Sequence, residues 1–340
     1  MKILSPLNQP EEIEPLVSAG AAELYCGLLP EDWEYTAFSI NRRQEREDNL
    51  SSFQELKECC ELAHRHSVPI HLTLNEHYYT EKQYPYIKDY VNKALDAGVD
   101  ALYVADVALL LTLKEWGVKV PLHISTGGTT FNSYTARFYQ GLGAERIILP
   151  RHLTVEEIAR IVEKVPDLPL EVFILNSKCH NIDGYCTFHH GLSEVVSKEE
   201  AREFRNGCMV DFKIHLASPV YNPEELAELA PRISQERQYL WKRVHIDSRP
   251  CGVCALYDFR EMGIYSVKIV GRKNATLKKL VDSRFVRQCL DYLETDPDRD
   301  RYRQWAQARY RETYRYPCRS SMCYYPQVNP AWNTPFTSPK

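Results

Sequence analysis

Eleven cysteines occur in this 340-residue chain. Cys179, Cys186, Cys208, Cys251 and Cys254 crowd one polar stretch. Cys179 and Cys186 bracket a turn containing Asp183-Gly184, and such a C-x6-C hairpin can present two thiolates to one ion. Thiolates are soft donors suited to zinc or to an iron–sulfur cluster. Cys208 follows in FRNGC and Cys251 in RPCGVC. Ligands this widely spread are unlike the close pairs of a zinc finger and agree better with a cluster nested in a fold. Two other readings stand beside this one. Cys251-Gly-Val-Cys254 has the spacing of a redox dithiol, although no strand–CxxC–helix pattern surrounds it. It can also form half of a zinc knuckle completed by Cys318-x4-Cys323. Cys59, Cys60 and Cys289 fall in helical patterns and are expected to be core thiols.

A second set of chemically capable residues recurs at the ends of short apolar runs: Cys26, Asn75 with Glu76, Asp106, His123 with Ser125, Arg151, and Lys268 with Arg272. Taken singly, each is read as a cap or a buried ion pair. Taken together, they predict a polar pocket on one face of the protein. Asn75, Asp106, His123, Arg151 and Lys268 are the catalytic candidates. Ser125, Arg151, Lys268 and Arg272 are the substrate-binding candidates, the three cations suiting a carboxylate or phosphate. There is no HExxH and no GxSxG; the nearest approach, His123-Ile-Ser125-Thr-Gly127, lacks the first glycine.

The elements that must position these residues follow one repeated pattern. A helical stretch ends at Gly, and an apolar run follows: SAGAAELYCG at 18–27, DAGVDALYVAD at 96–106, GLGAERIILPR at 141–151 and EMGIYSVKIVG at 261–271. A C-terminal helix glycine followed by a buried strand is the signature of βα alternation. Strands are predicted at Lys2–Pro6, Glu23–Gly27, Pro69–Asn75, Ala101–Asp106, Leu122–Thr126, Arg146–Pro150, Glu171–Leu175 and Ser266–Gly271. Helical spacing is found at Glu11–Ser18, Ser51–His66, Glu81–Ala97, Ala108–Trp116, Tyr134–Gln140 and Val155–Val165. The expected fold class is α/β, a (β/α)8 TIM-like barrel. An open doubly wound sheet is disfavoured, because no GxGxxG follows the first strand. The repeat breaks after the seventh strand, so 176–265 is read as a cysteine-rich insertion on the catalytic face. The expected organisation is a barrel domain over 1–275, including that insertion, and a C-terminal helix with a Pro/Tyr-rich tail over 276–340 packing on the barrel.

Composition narrows the function. Hydrophobic residues make up 44% of the chain and the net charge is −4, a balance that points to no nucleic-acid or membrane surface. The N-terminal apolar stretch in MKILSPLNQP is too short for a signal peptide, and the run near Val107–Leu113 is too short to span a bilayer. A cytoplasmic protein with no membrane insertion is expected, and its thiols are expected to be reduced.

The segment EVFILNSKCHNIDGYC at 171–186 resembles the signature of peptidase family U32, the collagenase-like peptidases. That signature runs Glu-x-Phe-x2-Gly-small-aliphatic-Cys-x4-Gly-x-Cys-x-aliphatic-Ser. Glu171, Phe173, Ser177, Cys179, Gly184 and Cys186 match it, whereas Asn176, Lys178, Phe188 and His189 depart from it. The resemblance extends to LTLN at 72–75, GVDALYVAD at 98–106, LHIST at 122–126, GAERIILPRHLTVEEI at 143–158, RNGC at 205–208 and GIYSVKIVGR at 263–272. It implies a barrel-like catalytic domain and, as in family members that carry one, a 4Fe-4S cluster. By the resemblance, Cys179, Cys186 and Cys208 are ligands and Cys251 is preferred as the fourth, ahead of Cys254 and Cys26.

Family members include collagen-degrading proteases and oxygen-independent hydroxylases of quinone precursors and of RNA bases, with prephenate as apparent oxygen source. The resemblance therefore implies three alternatives: an oxygen-independent hydroxylase, a peptidase with a structural metal site, or a non-catalytic subunit working with a paralogous partner. A small-molecule, RNA or peptide substrate fits these readings, and Arg151, Lys268 and Arg272 would suit a prephenate-like dicarboxylate. Gly127 stands where the family has Gln, and Leu175-Asn176 where it has His-Gly, so a different substrate is expected.

Overall fold

The computed structural model describes residues 1–30, 40–43, 45–179, 181–186, 222–246, 249–319 and 322–329. Eight parallel strands pair in sequence order and close into a barrel. They are β1 Lys2–Pro6, β2 Glu23–Cys26, β3 Ile70–Leu74, β4 Ala101–Val104, β5 Leu122–Ile124, β6 Arg146–Ile148, β7 Leu170–Leu175 and β8 Ser266–Ile269. Closure is made by β8 against β1, with Ile3 opposite Val267 and Leu4 opposite Lys268. All eight expected strands are present, each trimmed or shifted by no more than two residues.

Helices α1 Ile13–Ser18, α2 Phe53–Arg65, α3 Tyr84–Asp96, α4 Val107–Glu115, α5 Ser133–Gly141 and α6 Val155–Lys164 follow the first six strands. Their starts are chemically marked. Ser52 caps α2, Asn132 caps α5, and Thr154 forms a capping box with Glu157 at α6, each satisfying N–H groups that the first helical turn leaves unpaired. The stretch expected as one helix from Glu81 begins as a 3-10 turn, Glu81–Gln83, because Pro85 supplies no amide hydrogen to an α-turn there.

After β7 come α7 Pro223–Ile246 and α8 Leu256–Met262. Gly263 ends α8 at φ +76°, where any side chain would be strained. The chain then enters β8 and continues as α9 Thr276–Glu294 and α10 Arg299–Tyr314. Helix α9 follows β8 and packs on β1 and α1. A fully buried ion pair pins it there: Lys279 Nζ lies 2.7 Å from Glu12 Oε2.

The described part of the Tyr-rich C-terminal region, up to residue 329, packs against the barrel. Its phenols satisfy carbonyls that tertiary packing leaves open. Tyr302 donates to Val253 O, Tyr310 to Arg249 O and Tyr325 to Phe173 O, at 2.8–2.9 Å. Cys323 also pairs with Cys251 across a parallel bridge, and Cys251 pairs with Leu175 at the end of β7.

Candidate functional site

Alternation along the strands decides what reaches the barrel interior. That interior is unusually polar. Glu23, His71, Tyr103, His123, Arg146, Glu171 and Lys268 are all buried. Lys2 Nζ lies 3.2 Å from Glu23, Arg146 Nη2 lies 3.0 Å from Glu23 and Arg146 Nη1 3.3 Å from Glu171, and Lys268 Nζ lies 3.4 Å from Glu171. Glu171 also accepts from Tyr103 Oη at 3.2 Å and Ser266 Oγ at 2.9 Å. Buried charges are tolerated only when paired in this way.

Above this ladder, at the C-terminal ends of the strands, lies a cavity of about 180 Å³. Arg42, Arg43, Arg151, Lys268, Arg272 and Lys273 line it together with the carboxylate of Asp48. Lys273 is bound to Glu45 and Arg151 to Asp183. Lys268 is the more available cation: its Nζ sits 4.0 Å from the Tyr25 ring centre and 4.1 Å from that of Tyr103. Burial lowers its pKa to about 8, with Arg272 and Arg146 acting in the same direction and Glu171 opposing. Arg272 donates to Thr73 Oγ1 at 3.0 Å and Asn41 Oδ1 at 3.2 Å. It passes so close to Gly27 that a Cβ there would stand 1.7 Å from its Nη1.

Of the candidates read from sequence, Asn75, Ser125, Arg151, Lys268 and Arg272 line this cavity together. Asn75 Nδ2 donates to Ser125 Oγ at 3.0 Å, and the buried Asn75 Oδ1 finds no donor among the described residues. Two candidates lie elsewhere. Asp106 caps α4, accepting from the Ala108 amide at 2.9 Å. His123 is buried edge-on against His71, ring centres 5.1 Å apart, and burial holds both imidazoles neutral by lowering their pKa values well below the usual range. The sequence reading missed Tyr25, Thr73 and Tyr103. Their signal was period-two alternation: Thr73 shares its strand face with His71 and Asn75.

The cysteine loop is fastened beside the cavity. After β7 the chain turns through Asn176 at φ +65° and Ser177 at φ +45°. The left-handed region explains why the family signature has glycine at the first of these positions, and Asn is among the better-tolerated substitutes. Asn176 Nδ2 donates to Asp282 Oδ2 at 2.8 Å, and its carbonyl accepts from Tyr324 Oη. Arg151 then grips Asp183, and Gly184 packs so closely on the β5–α5 loop that a Cβ would meet Thr129 Cγ2 at 2.2 Å. Between these anchors, Cys179 and Cys186 are half-buried.

The expected ligand set divides as follows. Cys179 and Cys186 stand on the loop at the mouth, and Cys208 lies outside the described residues. Cys251 is buried, its backbone joined to Leu175 and its thiol near those of Cys254 and Cys323. Burial raises the pKa of Cys254 and Cys323 to about 12. Cys26 faces away from the cavity toward Cys59 and Cys60, and burial pushes it up to about 12. Among the described residues, no three His, Cys, Asp or Glu side chains converge on a metal position. The thiols suit an iron–sulfur cluster in kind, but the described residues alone do not close a ligand set.

A closed (β/α)8 barrel with a cationic mouth and a cysteine loop after β7 defines the class of protein. The family model described as peptidase family U32 matches residues 8–329, and the chain belongs to that family. The "tRNA hydroxylation protein P" of Haemophilus influenzae is 25% identical over 72% of this chain and 49% of its own length. Its Escherichia coli counterpart is 25% identical over 63% of this chain and 44% of its own. A Porphyromonas gingivalis protein named "Collagenase" is 24% identical over 54% and 44%. The chain spans about half the length of these curated relatives. A solved U32 peptidase structure aligns over 51% of this chain and 69% of its own with a TM-score of 0.41 and 15% identity. Among the described residues, no helix is long and apolar enough to cross a membrane.

Proposed function

We propose that this U32 protein is a modifying enzyme that hydroxylates its substrate without molecular oxygen, using a small anionic co-substrate held in the barrel mouth. The observation that carries this reading is the cationic cavity of Lys268 and Arg272 beside a loop that holds Cys179 and Cys186. Such a cavity would take a dicarboxylate of the prephenate type. The names of several relatives, tRNA hydroxylation proteins, support hydroxylation over proteolysis. So does Ser125 in the cavity lining: it is hydrogen-bonded to Asn75, an amide that cannot act as the general base a serine nucleophile needs. A 4Fe-4S cluster held by Cys179, Cys186, Cys208 and Cys251 would supply one-electron chemistry when bound. The chain's own residues would bind and orient: Arg272 and Lys268 fix the anion, and Asn75 Oδ1 accepts a hydroxyl or N–H of the ligand.

The test is the iron and sulfide content of anaerobically purified protein, compared with Cys179→Ala, Cys186→Ala, Cys208→Ala and Cys251→Ala. Equal iron and sulfide in the wild type, lost in each variant, is expected. Stoichiometric zinc in a colourless protein, or gelatin cleavage that survives Cys179→Ala and Cys186→Ala, would overturn the reading in favour of a peptidase.

A further inference from the structure

Lys268 is built unlike Lys279, the other buried lysine among the described residues. Lys279 lies within 2.7 and 2.9 Å of the two oxygens of Glu12, and its charge is fully matched. Lys268 has one carboxylate, Glu171, at 3.4 Å, and Glu171 is shared with Arg146, Tyr103 and Ser266. No hydrogen bond shorter than that contact reaches Lys268 Nζ from the described residues. Two tyrosine rings exclude water from its flanks, and its remaining side opens on the cavity. A lysine that is desolvated, crowded by guanidinium groups and turned into a pocket is set up for carbonyl chemistry.

The neighbours supply the rest of that chemistry. Arg272 offers N–H groups to a carboxylate. Ser125 Oγ accepts from Asn75, which leaves its hydroxyl hydrogen to be donated into the cavity. Glu171 Oε1 is buried without a hydrogen-bond donor and faces the amine, so it can take a proton from it.

We propose that Lys268 attacks the carbonyl carbon of a small 2-oxo acid bound in the mouth and holds it as an iminium. This rests on the reading of the cavity as a small-anion site, and it names the chemical class of that anion. The ammonium first passes a proton to Glu171. The amine lone pair forms the C–N bond while the carbonyl π electrons move to oxygen, which takes a proton from the attacking nitrogen. The resulting carbinolamine then loses hydroxide, which leaves as water with the proton returned by Glu171. The net change is ammonium plus ketone to iminium plus water, with no oxidant or reductant consumed. The iminium withdraws electrons from the adjacent carbons and would activate the bound acid for bond cleavage next to the former carbonyl.

Borohydride trapping tests this on the full-length protein. Wild-type protein is incubated with pyruvate near pH 8, reduced, digested and mapped by mass spectrometry. A single reduced adduct on Lys268 is expected, with none on Lys279. In Lys268→Arg, which keeps the positive charge but cannot form the iminium, the adduct should disappear. No adduct on wild-type Lys268, with pyruvate bound, would overturn the proposal and leave the anion site standing. An adduct that survives Lys268→Arg, or the absence of both binding and adduct, would overturn it as well. The wild-type mapping decides the matter even if a variant fails to fold. Iron content reports separately on the cluster reading, so the two can fail independently.

Discussion

Arg151 grips Asp183 twice, through its side chain and through its own backbone amide. Nε lies 3.0 Å from Oδ2, and the Arg151 N–H lies 2.9 Å from the same oxygen. The guanidinium also rests on the Phe173 ring, 5.0 Å from its centre. Arg151 was expected to bind substrate. It lines the cavity, and its fork is directed at Asp183 on the cysteine loop. Asp183→Asn should therefore destabilise the protein by about 3–5 kcal/mol, the usual cost of stranding one partner of a buried pair. It should also speed modification of Cys179 and Cys186 by a thiol reagent. The pH dependence has a definite sign. Arg151 holds the Asp183 pKa below the usual carboxylate value. The stabilisation is thus complete above about pH 4, the unfolded value, and is lost as pH falls through the folded one. Denaturant titrations at pH 3 and pH 7 should show a smaller acid loss in Asp183→Asn than in the wild type.

Lys268 and Glu171 should control the pH dependence of anion binding. With Lys268 titrating at about 8, pyruvate affinity should weaken as pH rises from 7 to 9. Glu171 raises the lysine pKa, opposed by Arg146, Arg272 and burial. Glu171→Gln should therefore move this alkaline limb to lower pH, and Lys268→Met should abolish it. Stability responds in the opposite direction. The folded pKa lies below the unfolded value of about 10.4, so wild-type stability should rise between pH 8 and 10. That rise should be missing in Lys268→Met. Calorimetric binding and urea titrations at the same pH values measure both effects, and an unshifted limb in Glu171→Gln would refute the coupling.

Most of the barrel was legible because parallel strands buried on both faces leave continuous apolar runs, and glycine marks the end of several helices. The positions that point inward were harder to read. Asp106 and His123 sit at or near strand ends just as Lys268 does, yet Asp106 turns to cap α4 and His123 is buried below the cavity. A strand end contributes to the mouth only if its parity directs it inward and its height reaches the rim. Trimming of up to two residues at a strand end is enough to obscure both. Cys251 shows a different limit. Its place depends on a bridge to Cys323, more than seventy residues later in the chain, a proximity that only the knuckle reading of Cys251-x2-Cys254 with Cys318-x4-Cys323 anticipates.

Gly27 should behave as a functional residue although it carries no side chain. A Cβ there would fall 1.7 Å from Arg272 Nη1 and 2.3 Å from Asn49 Oδ1, so Gly27→Ala must push the guanidinium out of place. Loss of one charge-assisted contact to a bound anion is worth about 1.5–3 kcal/mol, which is roughly tenfold or more in Kd. Gly27→Ala should approach the affinity of Arg272→Ala, and the double variant should add little to either. Additive losses would show that Gly27 acts elsewhere.

Tyr324 should couple the C-terminal segment to the cysteine loop. Its phenol donates to the carbonyl of Asn176, the residue that turns the chain out of β7 in a left-handed conformation. Lys178 reaches back to the carbonyl of Cys323, so the two segments are tied in both directions. Tyr324→Phe removes one buried hydrogen bond and strands a carbonyl, at a cost of about 1–3 kcal/mol. Asn176→Gly relieves the backbone strain but loses the side-chain bonds to Asp282, Val270 and Lys278. Asn176→Val loses those bonds and adds the strain of a β-branched residue at positive φ. The expected order of stability is wild type, then Asn176→Gly, then Asn176→Val. Thiol accessibility of Cys179 should rise in the same order and also in Tyr324→Phe. If Tyr324→Phe lowers stability without changing Cys179 reactivity, the tail supports the barrel but does not hold the loop.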